Sequence, residues 1–317
     1  MSLLLSVDKI EKQMGSKQLF ESLSFVIHEK EKLGLIGPNG SGKSTLLKIL
    51  SGDESTDSGT VSPKKGLKLS FVKQEESFDE SLSLIDCSIA NLQKGGMSAD
   101  DAMVYGSMYL SLVGFSDLEQ KVKRLSGGWR KRLSLAIALA TEPELLILDE
   151  PTNHMDWEGI LWLEGYLKTF TGSFVLVSHD RAFLNRVCTK TMELNHLFRD
   201  GFLAFQGSYN EFLDRKAEYI DQQLKLQSTM SNKARREVEW LRAGVKARTT
   251  KSQSRIKEAH QLLDDLADVK ARNRANQAKV KLEIESTNRL SKKLVELNSL
   301  NISYNDNVLV RDLNLLL

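Results

Sequence analysis

The chain has 317 residues, of which 41% are hydrophobic and 27% are charged, and its formal net charge is +2. These values are ordinary for a globular protein, and the length allows one large domain or two of average size. The sequence contains no apolar stretch of membrane-spanning length and no signal-peptide pattern, so a cytoplasmic location is expected. With only Cys87 and Cys188, a disulfide framework or cysteine metal site is not expected.

Short apolar runs alternate with helical patterns through residues 1–216, which predicts an α/β domain with a largely parallel sheet. The predicted buried strands are 32–37, 67–72, 144–149 and 173–178. The amphipathic segments 3–10 and 19–27 are expected to form an antiparallel edge. Between 74 and 125 the strand pattern stops, and helical stretches such as 99–113 predict a small helical subdomain.

A glycine-rich segment, GPNGSGKST (37–45), follows a predicted strand and precedes a helix, as the phosphate-loop motif requires. Its glycines let backbone N–H groups surround phosphate oxygens at a helix N-terminus. Lys43 is expected to reach the β- and γ-phosphates, and the Ser44 hydroxyl to bind Mg²⁺. The candidate nucleotide-binding residues are Gly37, Pro38, Asn39, Gly40, Ser41, Gly42, Lys43, Ser44 and Thr45.

Acidic and polar residues follow two further predicted strands. Asp149, in LLILDEP, is placed where a carboxylate can hold Mg²⁺ through water, and Glu150 is suited to orienting or deprotonating the attacking water. His179, in SHD, is a candidate for a hydrogen bond to the γ-phosphate. The segment LSGGWRKR (125–132) opens a helix with glycines and a serine, which predicts a second anion-binding N-terminus.

The order of phosphate loop, Gln74, LSGG, LDEP and SHD resembles the ATPase domain of the ATP-binding cassette (ABC) family over residues 1–216. The resemblance implies a P-loop NTPase fold, ATP and Mg²⁺ as ligands, and ATP hydrolysis. It implies catalytic roles for Glu150, His179 and Gln74, and metal ligation by Ser44, Gln74 and Asp149. It also implies that the signature residues bind the γ-phosphate of ATP held by an opposite domain: Leu125, Ser126, Gly127 and Gly128. A single domain is therefore expected to hydrolyse ATP weakly.

Three segments are similar to subfamily F (ABC-F) of this family: PTNHMD (151–156), GSYNEF (207–212) and the hairpin tip around Trp240. The combination of LSGGW (125–129), WLEGYLKTF (162–170) and this tip most closely resembles the bacterial Uup group of that subfamily. Trp129 departs from the usual glutamine after LSGG, and the residue expected to stack on adenine is Met14 or Gln13. In that subfamily the connector between two ATPase domains contacts transfer RNA and ribosomal RNA.

After residue 216 the apolar positions follow a heptad spacing in two series, which begin at Ile220 and Ile256. The two series come into register if the chain folds back near 249–252, and Gln227 then lies opposite Asn273. This pattern predicts a long antiparallel α-helical hairpin linker, whose arms of about 30 residues reach roughly 45 Å.

The hairpin tip is the most basic part of the predicted linker. Residues 217–317 carry 19 Lys and Arg against 13 Asp and Glu, and segment 239–258 contains six of these cations. Such a segment is expected to meet an anionic partner, although a solvated helix face is the simpler alternative. Trp240 is expected to pack within the hairpin rather than stack on a base. The candidate nucleic-acid contacts are Arg235, Arg236, Arg242, Lys246, Arg248, Lys251, Arg255 and Lys257.

An internal repeat is predicted near the end of the chain, because LFESLSF (19–25) recurs as LVRDLNL (309–315) at an offset of 290. Chance similarity is the alternative for so short a segment. The expected organisation is an ABC ATPase domain (1–216), a helical hairpin linker (217–294) and the first strands of a truncated second ABC domain (295–317).

The leading hypothesis is an ATP-hydrolysing, non-transporter ABC-F protein that acts on ribosomes in translation or assembly through its basic hairpin. The expected partners are transfer or ribosomal RNA and a second ABC domain, or a homodimer in its absence, with no membrane subunit. Two alternatives stay open: the ATPase subunit of an ABC transporter and a DNA-binding ABC ATPase, since phosphate contacts do not separate DNA from RNA.

Overall fold

The computed structural model describes residues 2–75, 77–242, 253–284, 295–304 and 307–316. They divide into two compact units, Met1–Asn273 and Arg274–Leu317. Three of the predicted tip cations, Lys246, Arg248 and Lys251, lie outside the described residues, as does the side chain of Arg242.

The strands fall into three sheets. In chain order they are β1 (Leu3–Met14), β2 (Lys17–His28), β3 (Lys32–Ile36), β4 (Ser58–Pro63), β5 (Leu69–Val72), β6 (Leu145–Asp149), β7 (Ser173–Val177), β8 (Lys190–Leu194), β9 (Phe202–Gln206), β10 (Glu296–Tyr304) and β11 (Asn307–Leu316). The first unit contains a six-stranded sheet, in the order β5-β6-β7-β3-β8-β9, and a three-stranded sheet, in the order β2-β1-β4. The second unit contains the β10–β11 pair.

The six-stranded sheet confirms the predicted α/β fold. Its first five strands are parallel, and only β9 runs antiparallel, against β8. Every residue of β6 and β7 is buried, as expected for parallel strands covered on both faces. All four predicted buried strands are present, whereas β4, β8 and β9 were not predicted.

The two opening strands differ from the prediction, because β1 pairs with both β2 and β4 in a separate antiparallel sheet rather than at the edge of the main one. One face of this sheet is apolar, with Leu5, Val7, Ile10 and Leu23 almost fully buried. That face packs against the first helix and the main sheet in one shared core. Forming a second layer buries this face more completely than an edge position would.

The helices confirm the predicted subdomain between the strands. In chain order they are α1 (Lys43–Ser51), α2 (Leu84–Lys94), α3 (Ala99–Leu112), α4 (Gly127–Ala140), α5 (Trp157–Thr169), α6 (Arg181–Val187), α7 (Tyr209–Arg242) and α8 (Gln253–Ile284). α2 and α3 begin at Ser83 and Ser98, whose hydroxyls accept hydrogen bonds from the backbone N–H three residues later. α2, α3 and α4 pack on one another through a separate apolar cluster. Within the described residues, none of the helices combines the length and apolar character that crossing a bilayer requires.

The two long helices run antiparallel within the first unit, as the heptads predict. Asn273, which is 7% exposed, donates from Nδ2 to Oε1 of Gln227 at 2.7 Å, so the predicted pairing of these residues is confirmed. Nearer the tip, the Arg255 guanidinium donates to both carboxylate oxygens of Glu237 at 3.0 and 3.1 Å. The same guanidinium lies 4.2 Å from the centre of the Trp240 ring, so this tryptophan packs within the hairpin as expected.

The β10–β11 pair of the second unit repeats the register of β1–β2 at a constant offset of 290. Leu300 pairs with Leu313 as Ile10 pairs with Leu23, and the register shifts fall at corresponding places. The residues with positive φ also correspond: Lys9, Ser22, Ser299 and Asp312. Matching bulges are backbone features that a seven-residue sequence similarity does not dictate, so they support a true structural repeat.

Candidate functional site

The predicted site residues follow the carboxyl ends of four parallel strands. The phosphate loop follows β3, Gln74 follows β5, Asp149 ends β6, and His179 follows β7. Because parallel strands end at one edge of their sheet, these groups lie along the same edge of the first unit. Ligands of open α/β sheets bind at this edge.

The phosphate loop has the geometry that its glycines predict. Gly37 has φ 152°, and a Cβ there would lie 2.5 Å from the carbonyl oxygen of Leu194 on β8, which leaves no room for a side chain. Gly42 has φ 92° and starts α1. The loop curls around the ammonium of Lys43, which donates to the carbonyl oxygens of Gly37 at 2.9 Å and Pro38 at 3.3 Å. Burial lowers the pKa of Lys43, although the charges of Glu150 and Asp149 oppose this.

Two buried carboxylates stand at the end of β6. Asp149 is 3% exposed and Glu150 is 5% exposed, and one oxygen of each, Asp149 Oδ1 and Glu150 Oε1, has no hydrogen-bond partner. The buried hydroxyl of Ser41 in the phosphate loop is also without a partner. Buried polar atoms without partners are costly in a folded protein, so this group of atoms is suited to a ligand that supplies a cation and donors.

Glu150 combines an unusual backbone with a perturbed pKa. Its φ is 47°, a strained value for a residue with a side chain, and its N–H donates to the Val177 carbonyl at 2.9 Å. Burial raises the pKa of Glu150, and the hydrogen bond and charge of His179 work in the opposite direction. Strained, buried acids of this kind are common in active sites.

His179 lies next to Glu150. Its backbone N–H donates to Glu150 Oε2 at 3.1 Å, and its ring Nε2 is 3.5 Å from Glu150 Oε1, too far for a strong hydrogen bond. The side chain is 67% exposed, so the ring is open to a ligand above the sheet edge.

Gln74 and one signature residue, Gly127, line a cavity of about 300 Å³ together with His154 and Lys131. The signature residues Leu125 and Ser126 line a separate cavity of about 450 Å³. Ser126 accepts a hydrogen bond from the Trp129 N–H and so caps α4, which places Gly127 and Gly128 in the first turn. A Cβ on Gly128 would lie 2.4 Å from the His154 carbonyl, so this glycine allows close approach of the loop after Glu150.

Two contacts of α4 were missed by the sequence reasoning. Buried Lys131 donates to the carbonyl oxygens of Lys73 and, at 2.9 Å, Gln74, which ties the signature helix to the segment after β5. Arg132 forms an ion pair with Asp156 at 2.6 Å and stacks on Trp129, with its guanidinium 4.5 Å from the ring centre. The available signal was three consecutive basic residues, Arg130, Lys131 and Arg132, directly after LSGGW in a helix that is otherwise largely apolar.

The predicted metal ligands comprise one carboxylate, one hydroxyl and one amide. Among the residues that the structure describes, no group of three or more His, Cys, Asp or Glu side chains forms a metal site. The unpartnered Asp149 oxygen therefore fits a cation that takes most of its ligands from phosphates and water, as Mg²⁺ does.

The described hairpin cations fall into two groups. Arg235, Arg236 and Lys257 are exposed, whereas Arg255 is engaged by Glu237 and Trp240 within the hairpin. The hydrogen bond from Arg255 lowers the pKa of Glu237.

The base of α7 is fixed to the main sheet. Phe212 is 1% exposed, and Lys216 forms an ion pair at 2.6 Å with Glu193, whose side chain is 8% exposed. Glu193 pairs in the sheet with Ile36, the last residue of β3 before the phosphate loop. The hairpin and the phosphate loop are therefore both attached to the same pair of neighbouring strands.

The fold and this arrangement of loops define an ATPase domain of the ATP-binding cassette type. Residues 20–153 match the family profile described as "ABC transporter". The chain therefore contains an ATPase domain of the ATP-binding cassette family.

Its relatives confirm the resemblance to subfamily F. The chain is 33% identical to the ABC transporter ATP-binding protein YfmR of Bacillus subtilis, over 98% of this chain and 53% of the relative. It is 30% identical to the ATP-binding protein Uup of Buchnera aphidicola, over 98% and 51%. It is 28% identical to the energy-dependent translational throttle protein EttA of Escherichia coli, over 94% and 59%. The chain spans about half the length of the curated relatives it matches.

Solved structures of similar fold are ABC ATPases. One is described as the ATP binding subunit of an ABC transporter, with a TM-score of 0.59 and 21% identity over 67% of this chain and 98% of that chain. Another is a metal-chelate type ABC transporter in an inward-facing conformation, with a TM-score of 0.56 and 25% identity over 65% of this chain and 84% of that chain.

Proposed function

We propose that this chain binds and hydrolyses ATP with Mg²⁺. The observation that carries the proposal is the group of unpartnered buried oxygens on Ser41, Asp149 and Glu150, which shares its sheet edge with the phosphate loop and Lys43. A metal ion with its bound water would supply the positive charge and the donors that the two carboxylate oxygens lack, and the Ser41 hydroxyl can donate to a phosphate oxygen.

Each residue has a defined role in this proposal. Ser44, Gln74 and Asp149 would hold Mg²⁺, which supplies positive charge at the phosphate oxygens when it is bound. Lys43 exchanges the carbonyls of its own loop for phosphate oxygens. Glu150, whose pKa is raised by burial, accepts a proton from the attacking water, and His179 donates to the γ-phosphate.

We propose that the ABC ATPase domain ends at residue 216 and that the hairpin linker ends at residue 294. The repeated register of β10–β11 supports the assignment of 295–317 to the opening strands of a second ABC domain. In such a pair, Leu125, Ser126, Gly127 and Gly128 of one domain bind the nucleotide held by the other. We therefore expect weak hydrolysis by the chain alone, and we expect its partner to be a second ABC domain or, in the absence of one, a second copy of the chain.

We further propose that the hairpin binds RNA, and that the protein works in the cytoplasm on ribosomes, without a membrane subunit. Exposed Arg235, Arg236 and Lys257 suit contacts to a phosphate backbone, which give affinity without reading sequence. The relative EttA is named as a translational throttle, which favours a role in translation. The ion pair of Lys216 with Glu193 fixes the hairpin to the ATPase sheet, so that nucleotide binding and RNA contact can influence each other.

Hydrolysis is tested by phosphate release with ATP and Mg²⁺. The chain should show activity that Lys43→Ala removes and that saturates with ATP. Activity that survives this substitution would contradict the proposed site. A competition between transfer RNA and duplex DNA, measured across salt concentrations, tests the choice of nucleic acid, and tighter binding of DNA would contradict the RNA proposal.

One observation favours the transporter-subunit alternative. Met103, Val104, Met108 and Leu112 on α3 are each at least 45% exposed, and the last three follow one another at intervals of four residues along one helix face. An exposed apolar face of this kind is typical of a surface that contacts another protein. Co-purification of an integral membrane protein with the tagged chain, lost on replacing Met108 and Leu112 with Ser, would favour that alternative over the ribosomal one.

A further inference from the structure

Arg132 on α4 carries a buried guanidinium that joins three segments of the first unit. Its side chain is only 11% exposed. Nη2 donates to Oδ1 of Asp156, the last residue of the loop that begins at Glu150, at 2.6 Å. Nη1 donates to the carbonyl oxygen of Val113, directly after α3, at 3.3 Å. Because the donors of a guanidinium form a rigid planar fork, this side chain fixes its partners relative to α4.

Two further residues are arranged around this guanidinium. Trp129, which departs from the usual glutamine after LSGG, covers it, and Phe115 packs on Trp129 with ring centres 4.9 Å apart. A Cβ added to Gly159 would lie 2.8 Å from Arg132 Nη2 and 2.7 Å from Asp156 Oδ1, so a side chain there would displace one of the two charged groups. Trp129 and Gly159 thus both accommodate the contact between Arg132 and Asp156.

Asp156 fixes the end of the loop through two bonds. Its Oδ1 accepts the hydrogen bond from Arg132 and another, at 2.9 Å, from the Gly159 N–H, which caps α5. The hydrogen bond from Arg132 also lowers the pKa of Asp156, which favours the charged carboxylate. One carboxylate therefore joins the loop, the start of α5 and the signature helix.

The loop between Glu150 and Asp156 is short and bonded internally. The Asn153 N–H donates to the Glu150 carbonyl at 3.3 Å, and the Met155 N–H donates to the Thr152 carbonyl at 3.2 Å. Two successive turns thus connect the buried acid to the capping residue. Because these turns leave little free chain between them, a displacement at Asp156 also displaces Glu150.

We propose that Arg132 is a positioning residue for Glu150, because it holds the far end of this loop at Asp156 and so keeps the Glu150 carboxylate oriented toward the attacking water. This inference rests on the proposed hydrolysis of ATP. The φ of 47° at Glu150 is a strained conformation, which persists only where surrounding contacts enforce it. The Val177 carbonyl constrains Glu150 from the sheet, and Arg132 constrains the loop from the signature helix.

The test compares hydrolysis, ATP binding and amide hydrogen exchange in the intact chain and its variants. Arg132→Met should lower kcat about tenfold and change the dissociation constant of ATP with Mg²⁺ by less than about twofold, because a misplaced base slows the chemistry without removing phosphate contacts. In the nucleotide-free chain, the amides of residues 150–156 should exchange about tenfold faster in this variant, because the loop opens more readily.

Conservative variants separate positioning from general packing. Asp156→Asn keeps a good N-cap for α5 but loses the charge, so it should change kcat and exchange in the same direction as Arg132→Met, and combining the two should add little. Arg132→Lys should recover only part of the loss, since an ammonium lacks the rigid fork that reaches both Asp156 and Val113. The control Lys168→Met removes an ion pair of 2.7 Å at the other end of α5 and should change neither measurement.

The outcomes distinguish this inference from the proposed function. If Arg132→Met leaves kcat and the exchange of residues 150–156 within about twofold of the unmodified chain, or if Lys168→Met changes both as much, the inference is overturned. Weaker ATP binding with an unchanged kcat would also overturn it, because Arg132 would then act on binding. The exchange measurement needs no nucleotide: unchanged exchange contradicts the inference alone, whereas an unmodified chain that hydrolyses no ATP contradicts the proposed function and the catalytic role of Glu150 with it.

Discussion

Replacing Lys216 with Met tests the attachment of the hairpin to the ATPase sheet. The substitution removes the ion pair at 2.6 Å and leaves the Glu193 carboxylate, 8% exposed, with the Asn195 amide at 3.2 Å. Breaking a buried ion pair by removing one partner costs about 3–5 kcal/mol. Because the Lys216 side chain is 29% exposed and Asn195 still donates to Glu193, we expect the lower value of about 2–3 kcal/mol in the free energy of unfolding.

The assay is urea unfolding followed by circular dichroism, with a matched control on the same helix. Lys225 pairs with Asp221 at 2.7 Å, but these side chains are 77% and 60% exposed, so Lys225→Met should leave the unfolding midpoint unchanged. Lys216→Arg should retain most of the stability because it can restore the ion pair. If Lys216→Met and Lys225→Met unfold at the same urea concentration, the ion pair with Glu193 does not fix the hairpin to the sheet.

Three further predictions concern the catalytic base, the signature helix and the hairpin. Burial raises the pKa of Glu150, so this base becomes protonated at pH values above the ordinary carboxyl range. The rate of ATP hydrolysis should therefore fall as the pH decreases through those values, and Glu150→Gln should abolish activity. A pH-independent rate in the unmodified chain would contradict the assignment of Glu150 as the base. Lys131→Met should lower kcat about tenfold with little change in KM, because it releases the segment that carries Gln74. Lys131→Arg should recover activity. An equal loss in both variants would indicate a purely structural role for Lys131. Asn273→Leu alone should lower the melting temperature, because it leaves the Gln227 side chain unpaired. The double variant with Gln227→Leu should match or exceed the stability of the unmodified chain. A double variant that is less stable than the single variant would contradict this prediction.

Much of the first unit follows from local sequence. Short apolar runs specify the four buried strands, and glycines with the required backbone angles specify the phosphate loop. Each of these signals lies within the few residues of the element that it specifies. The pairing of Gln227 with Asn273 was also predictable, because a heptad fixes which positions face each other once the turn is placed.

The remainder depends on contacts between distant segments. The separate sheet of β1, β2 and β4 forms because the apolar face of the amphipathic strands β1 and β2 must be covered by another layer of the protein. The sequences of these two strands do not indicate which part of the chain supplies that layer. The bonds of Lys131 to Gln74 and of Lys17 to Gly40 each join a surface-type residue to a loop carbonyl, and no spacing rule predicts such a partner.

If the ATPase domain presents its basic hairpin to RNA, as we propose, the chain should bind ribosomes in a nucleotide-dependent manner. Co-sedimentation of the Glu150→Gln chain with ribosomes, with ATP and without nucleotide, tests it most directly. We expect ATP to increase the fraction of the chain in the ribosomal pellet, and we expect neutral replacements of Arg235, Arg236 and Lys257 to reduce this fraction. A chain that stays in the supernatant under both conditions would contradict the claim.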